Sequence, residues 1–437
     1  MGTNEPQRTS TPPEPDEQFD IGATDDSLQR MVELFARLGD TYRVYSPARR
    51  GYVYVINHPD DIKRVLVSNH RNYRKGLGLD RVRILLGNGI MTSEGEFWRR
   101  QRYMMQPTFH RRIINEFASQ IATINDRYLQ RWEVLARSGE ALNITEEMSE
   151  LTLDIVLHSI FGRDLERLTA EHGENPFVVV TREPARDLRF AYKFRSLGKT
   201  IAQLLDRRRA LEEEHFDYVA MLMQARDKET GDAMSTRELI DEIMTLVVAG
   251  HETTASSLNW TWYLIAEHPQ VEQHLQREVD AFDEAAGFGL QTMEGLAYTQ
   301  QVINESLRLY PPGWLLSRRA IEDDQLGGFP IAAGTDVLLS PYVLHRHPRY
   351  WREPDAFLPE RFDDAHEAQR PRFAYMPFAA GPRHCIGETF AVYEMLIHLC
   401  KAARRFRLRR ADSSPIDLEA QVNLRTRAPL LMKLEKR

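Results

Sequence analysis

Between Ser235 and Pro269 the chain has no proline, and its apolar residues recur with helical spacing throughout. Ser235 and Glu238 form an S-x-x-E capping box at one end and Pro269 bounds the other, so the segment predicts one helix of about nine turns. A helix that long has to cross a large domain. Its middle breaks the apolar pattern with Ala249-Gly250-His251-Glu252-Thr253-Thr254, where small residues, an acid and two hydroxyls replace bulk.

The remaining pattern is also mostly helical. Residues 97–226 read as helices with breaks near Pro107, Gly139, residues 173–176 and Gly198, and a further helix over 295–309 is stopped by Pro311 and Pro312. A first helix carries Leu28, Met31, Leu34, Phe35 and Leu38 on one face, with Asp26 and Ser27 as caps. Strands are expected at 52–56, 336–339 and 314–317, and a short helix at 59–67. Proline-rich residues 348–377 read as an irregular meander, followed by a glycine-bounded segment and a helix ending near Phe406. The fold class is therefore mainly α with a minor β portion. Residues 1–23, rich in proline and acid, predict a disordered tail, leaving 24–437 as a single domain.

At 437 residues and 42% hydrophobic, the chain can bury a large core, which excludes disordered and fibrous classes. A net charge of −7 argues against a nucleic-acid partner. The apolar stretch 243–250 falls far short of the roughly 20 residues a bilayer crossing needs, so no membrane anchor is expected. Two cysteines, Cys385 and Cys400, make neither a disulfide framework nor a C-x-x-C pair, and the expected location is the reducing cytoplasm. Cys385 lies in the glycine-bounded loop that opens a helix, where backbone N–H groups favour an anionic sulfur. Taken alone, such a cysteine is more often a small buried hydrophobe.

The neighbours of Cys385 decide between those readings. Phe378, Gly381, Arg383, Cys385 and Gly387 spell F-x-x-G-x-R-x-C-x-G, which resembles the haem-binding loop of the cytochromes P450. Glu305 and Arg308 resemble the family's E-x-x-R pair, and Pro359-Glu360-Arg361-Phe362 the meander motif whose arginine joins it. Trp98 and Arg102 resemble the W-x-x-x-R helix that donates to a haem propionate. The resemblance spans residues 45–431.

That resemblance implies the cytochrome P450 fold, with haem b between the long central helix and the cysteine-loop helix. It makes Cys385 the iron ligand and leaves Cys400 to packing. Haem carboxylates need cations, and the resemblance points to Arg383, Arg102 and Arg318, with Arg319 as the competitor for the third place. Trp98, Phe378, Gly381 and Gly387 complete the implied haem site. Glu252 and Thr253 match the acid–alcohol pair that supplies protons to bound dioxygen, beside Ala249 and Gly250, whose small size leaves room for it.

The implied activity is monooxygenation of a lipophilic small molecule by O2, with a terpenoid or fatty acyl substrate expected. Electrons would come from a separate ferredoxin or flavodoxin and its NAD(P)H reductase, docking on Arg99, Arg100, Arg111 and Arg112, with the basic run 401–410 either adding to that patch or packing beside it. A monomer is expected. The pocket should be lined from residues 75–90, 187–197, 244–249, 314–317 and 424–426, including Leu77, Leu79, Ile84, Leu85, Met244, Val247, Val248, Leu315 and Leu316. A peroxide-dependent haem-thiolate enzyme and a non-catalytic haem-binding protein are the alternatives; Glu252 and Thr253 weigh against both.

Overall fold

Helix periodicity sets most of the architecture, seen in a computed structural model that describes residues 11–437 except 23, 77, 183–187 and 212. The principal helices are α1 (Ser27–Leu38), α2 (Gly95–Met105), α3 (Ala118–Ser138), α4 (Ile144–Phe161), α5 (Leu188–Leu211), α6 (Thr236–Glu267), α7 (Ala297–Leu309) and α8 (Glu388–Arg405). Helix α6 is the long element expected. Its capping box is formed in both directions, Ser235 Oγ accepting from the Glu238 N–H and Glu238 accepting from the Ser235 N–H. It packs along α4, and at Gly250 a Cβ would come within 3.0 Å of Val156 Cγ2, so glycine lets the two helices approach.

The expected break at Gly198 does not occur. Helix α5 runs through it because Phe194, Leu197, Ile201, Leu204 and Leu205 bury one continuous face. That burial outweighs the roughly 1 kcal/mol that an interior glycine costs a helix.

The β portion includes a five-stranded sheet of β1 (Thr41–Ser46), β2 (Gly51–Ile56), β3 (Tyr73–Lys75), β4 (Leu316–Ala320) and β5 (Asp336–Leu339), in spatial order β1-β2-β5-β4-β3, beside a three-stranded and two two-stranded sheets. The strand expected at 314–317 starts two residues later. Register puts Lys75 opposite Arg318, and Arg319 opposite Asp336. A small hairpin, β6 (Leu418–Ala420) and β7 (Leu424–Thr426), reaches back to α6, where the Ser256 hydroxyl and the Trp260 ring N–H both donate to the Leu424 carbonyl.

The tail expected over 1–23 is packed in its second half. Arg43 N–H donates to the Pro13 carbonyl, Phe19 N–H to the Tyr45 carbonyl, and Ile21 is fully buried. Asp20 accepts from the Ser46 hydroxyl and the Ala48 N–H. Aromatic and aliphatic anchors on β1 and α1 thus hold residues 13–22 against the sheet. Residues 1–10 lie outside the described residues.

Glu305 and Arg308 on α7 are completely buried, with Arg308 Nε to Glu305 Oε2 at 2.6 Å. All five N–H donors of Arg308 are engaged, two by Glu305 and three by the carbonyls of His345, Pro354 and Ala356. Arg361 adds Nε to Glu305 Oε1 at 3.2 Å. Removing one partner of such a pair leaves a buried charge uncompensated, at a cost of about 3–5 kcal/mol. Glu305→Ala should therefore lower the urea midpoint sharply and depress the yield of folded protein; a wild-type midpoint would show the pair to be dispensable.

Candidate active site

The segment leading to Cys385 is shaped by backbone demands. Ala379 adopts φ +60° and Gly381 φ +74°. A Cβ at Gly381 would strike the carbonyl of Leu66, which explains glycine there. Cys385 N–H closes the loop on the Phe378 carbonyl at 3.0 Å. The thiol lies deep in the molecule yet is open to a cavity of about 880 Å³. Burial pushes the Cys385 thiol up from its ordinary value, against the lowering effect of the Gly387 and Glu388 N–H groups. The helix-start N–H groups thus act in the expected direction, and burial opposes them. Cys400 is sealed in the core, where burial pushes its thiol to about 12.

The cavity is bounded by Cys385, Phe378, Gly387 and Phe390 from the cysteine loop and α8, and by Thr245, Ala249, Gly250, Thr253, Thr254 and Ser257 from one face of α6. Leu79, Leu315 and Leu316 line it as expected, joined by Val156, Ser159 and Ile160 of α4. Met244 and Val247 instead sit in the helical core, because the face of α6 that meets the cavity is offset from theirs. Val248 and Leu85 pack against that core and Ile84 is exposed, so none of these lines the cavity. The hairpin contributes Ala420, Gln421, Val422 and Asn423 in place of 424–426, and among the described side chains of 190 and 192–197 none contributes. Leu77 and residues 183–187 lie outside the described residues.

Thr253 lines the cavity and its hydroxyl donates to the Ala249 carbonyl at 2.8 Å. Glu252 does not line it; its carboxylate accepts from Asn423 Nδ2 at 3.1 Å. Acid and alcohol are sequence neighbours but point to adjoining faces of α6.

A group of cations gathers along one wall. Lys75, Arg102, Arg318 and Arg383 all line the cavity. Arg318 is buried, its Nη1 donating to the carbonyl of Ser317, whereas Arg319 points across the sheet to a bidentate pair with Asp336 at 2.7 and 2.8 Å. The strand alternation thus separates the two arginine candidates. Arg383 stacks over Trp98 at 4.1 Å and pairs with Glu94. Arg102 donates to the His384 carbonyl at 2.8 Å. Lys75, which no motif marks, turns its ammonium onto the carbonyls of Ile90, Met91 and Ser93. Burial, helped by the charge of Arg383, lowers Lys75 to about 7, and the same two causes lower Arg318 to about 10.

The family model described as Cytochrome P450 matches residues 17–177 and 194–434. The chain belongs to the cytochrome P450 family. It is 34% identical to cyclooctatin synthase of Streptomyces melanosporofaciens over 88% of this chain and 86% of that one. It is 31% identical to cyclooctat-9-en-7-ol 5-monooxygenase of the same organism, covering 92% of each. Its identity to the chloroplastic protein LUTEIN DEFICIENT 5 of Arabidopsis thaliana is also 31%, over 93% of this chain and 74% of that protein. The chain is accordingly a haem-thiolate monooxygenase, a P450 enzyme working with O2, a redox partner and a lipophilic substrate.

The cavity fits a haem. Lys75 and Arg318 are like charges directly opposite in the sheet with Arg383 beside them, three cations against the one carboxylate of Glu94, an arrangement that a further anion would relieve. Haem carboxylates are such anions. Apart from its chain neighbours, no described residue comes within 4 Å of the place a Gly387 Cβ would take, so glycine there borders open space in the cavity. Of the four arginines expected to form a basic face, Arg100 is bound to Asp227 and Glu238 at 2.8 and 2.7 Å and Arg99 pairs with Glu96 at 3.3 Å. Lys401, Arg404, Arg405, Arg409 and Arg410 are likewise paired with nearby acids. Arg99, Arg111 and Arg112 stay exposed.

The lowered Lys75 gives a pH signature with a definite sign. Above about 7 this lysine is neutral in the haem-free protein and must regain a proton to face a carboxylate, so haem affinity should fall as pH rises through that point. Haemin titration of the apoprotein from neutral to alkaline pH would show the decline, and Lys75→Met would flatten it. An unchanged slope in Lys75→Met would remove the lysine from the haem site.

Proposed function

We propose that this P450 hydroxylates a terpenoid or fatty acyl molecule, holding haem b through Cys385. The observation that carries the reading is a single apolar-walled cavity lined both by the Cys385 thiol and by the Thr253 hydroxyl. Cys385 is the iron ligand, and Arg102, Arg318, Arg383 and Lys75 meet the haem carboxylates, with Trp98 stacked under Arg383. When bound, thiolate-ligated haem supplies O–O cleavage. The net reaction consumes R–H, O2, two electrons and two protons, and yields R–OH and water.

The protein's own part is to deliver those protons and to exclude bulk water. Thr253 donates its hydroxyl hydrogen to the Ala249 carbonyl, which leaves the oxygen lone pairs facing the cavity to accept from a second donor. Glu252 is the acid that recharges this position from the hairpin side, where Asn423 holds its carboxylate. The substrate class is supported by the leucine-rich wall and by a relative whose name specifies 5-monooxygenation of cyclooctat-9-en-7-ol, an unsaturated alcohol by that name. The electron carrier is a ferredoxin or flavodoxin with its NAD(P)H reductase, whose acidic surface suits Arg99, Arg111 and Arg112. We place the enzyme in the cytoplasm as a monomer; among the described residues no helix is long and apolar enough to cross a membrane.

Two measurements test the reading. Cys385→Ser should lose the red-shifted Soret band of the reduced carbon monoxide complex while Cys400→Ser keeps it, and the reverse result would displace Cys385 as ligand. With a lipophile found by a Soret-shift screen of terpenoids and fatty acids, Thr253→Ala should bind substrate and consume NAD(P)H, yet release more hydrogen peroxide and less hydroxylated product. Fully coupled hydroxylation by Thr253→Ala would exclude the residue from proton delivery, and a wild type active only with added peroxide would favour a peroxygenase.

A further inference from the structure

Residues 87–92 form part of the cavity wall through Ile90 and border it again at Met91. They adopt no regular structure, so their backbone groups need partners from elsewhere. Those partners come from two sides. On α6, Asp241 Oδ2 accepts from the Asn88 N–H at 2.9 Å and Glu242 Oε2 accepts from the Ile90 N–H at 2.8 Å. On β3, the Lys75 ammonium takes the carbonyls of Ile90, Met91 and Ser93. Inside the loop the Thr92 hydroxyl closes onto the Gly87 carbonyl at 2.8 Å.

Two glycines permit this contact. Gly87 has φ +72°, and a Cβ there would overlap the Asp241 carboxylate. A Cβ at Gly89 would overlap the Thr245 hydroxyl and come within 2.6 Å of the Asp241 carbonyl oxygen. Asp241 is further steadied by Arg237 at 3.2 Å. Glu242 is 1% exposed, and its second oxygen has no hydrogen-bond partner among the described residues. A buried carboxyl group left half satisfied is expensive, and the Ile90 N–H is the donor that offsets part of that cost.

We infer that Asp241 and Glu242, with Lys75 opposite them, are positioning residues that clamp residues 87–92 as a fixed wall of the substrate chamber. The inference rests on the reading of the cavity as that chamber. It deepens that reading by assigning substrate selection on this side to a clamped backbone. Because Lys75 is shared between the loop carbonyls and the cation group, the wall is tied to the same strand that borders the haem carboxylates.

The test uses the haem-loaded, full-length protein and two variants. Glu242→Leu removes the acceptor; Glu242→Gln keeps a carbonyl oxygen in the same place. Hydrogen exchange of the Ile90 amide should quicken about fivefold or more in Glu242→Leu, the equivalent of one net hydrogen bond, and return to the wild-type rate in Glu242→Gln. Association of 4-phenylimidazole, a bulky azole that ligates haem iron, should quicken several-fold in Glu242→Leu alone. Carbon monoxide, small enough to need no wall movement, should bind at an unchanged rate in both. Unchanged exchange at Ile90 in Glu242→Leu would overturn the clamp. Faster exchange with unchanged azole association would leave the clamp without a role in the chamber and overturn the inference. If the azole failed to shift the Soret band of wild type at all, the chamber reading itself would fail, whatever the exchange rates.

Discussion

A single guanidinium, that of Arg308, holds together segments that share no secondary structure. Burying a charged pair costs several kcal/mol per ion in desolvation, which is recovered only when every donor and acceptor finds a partner. Here all five donors do, and the partners lie on α7 itself and on the irregular stretch that follows β5. His345 carries the constraint onward. Its carbonyl receives Arg308, and its Nε2 accepts from the Met376 N–H at 2.9 Å, two residues before Phe378. Burial and the Arg308 charge hold the His345 imidazole well below its ordinary value, so the ring stays neutral and can act as that acceptor. The cysteine loop is thus anchored to the helical core through a ring that must not protonate.

Among the cations that line the cavity the balance is reversed. Lys75, Arg318 and Arg383 converge with Glu94 as the carboxylate among them, which bonds Arg383 and the Lys75 backbone N–H. Like charges in a dry wall raise the energy of the haem-free fold, and a bound dianion would relieve it. Anything that binds the native state alone also stabilises it by mass action. Stability and haem occupancy are consequently one quantity for this wall, whereas the Arg308 cluster is satisfied within the protein.

Features written in contiguous sequence were legible. The capping box and apolar spacing predict α6 within a residue or so, since helices are local. The cysteine loop, the E-x-x-R pair and the Pro-Glu-Arg-Phe turn are short motifs whose spacing is itself the geometry. Choices that depend on long-range pairing were not. Arg318 and Arg319 differ only by strand face, and the face is set by β3 and β5, which lie far away in sequence. Lys75 carries no motif, and its role emerges from being placed opposite Arg318. Arg100 reads as a surface cation until α6 brings Glu238 to it. Met244 and Val247 show the same limit within a helix: apolar spacing marks a buried face without saying whether a neighbour helix or a cavity covers it.

Helix α6 reconciles these demands because its faces do different work along one rigid axis. Residues at intervals of four, Thr245, Ala249, Thr253 and Ser257, meet the cavity. A turn earlier, Asp241 and Glu242 hold the 87–92 backbone; a turn later, Ser256 and Trp260 hold the hairpin that carries Asn423. Thr253, Thr254 and Ser257 each return a hydroxyl hydrogen bond to a carbonyl four residues back, which satisfies polar groups that an apolar helix would otherwise have no means to bury. The small residues at 249 and 250 then serve two ends, one admitting α4 at Val156 and the other keeping the space beside Thr253 open. Bulk at 249 would intrude on the cavity and bulk at 250 would push α4 away at Val156, so the polar break in this helix is a packing requirement as much as a chemical one.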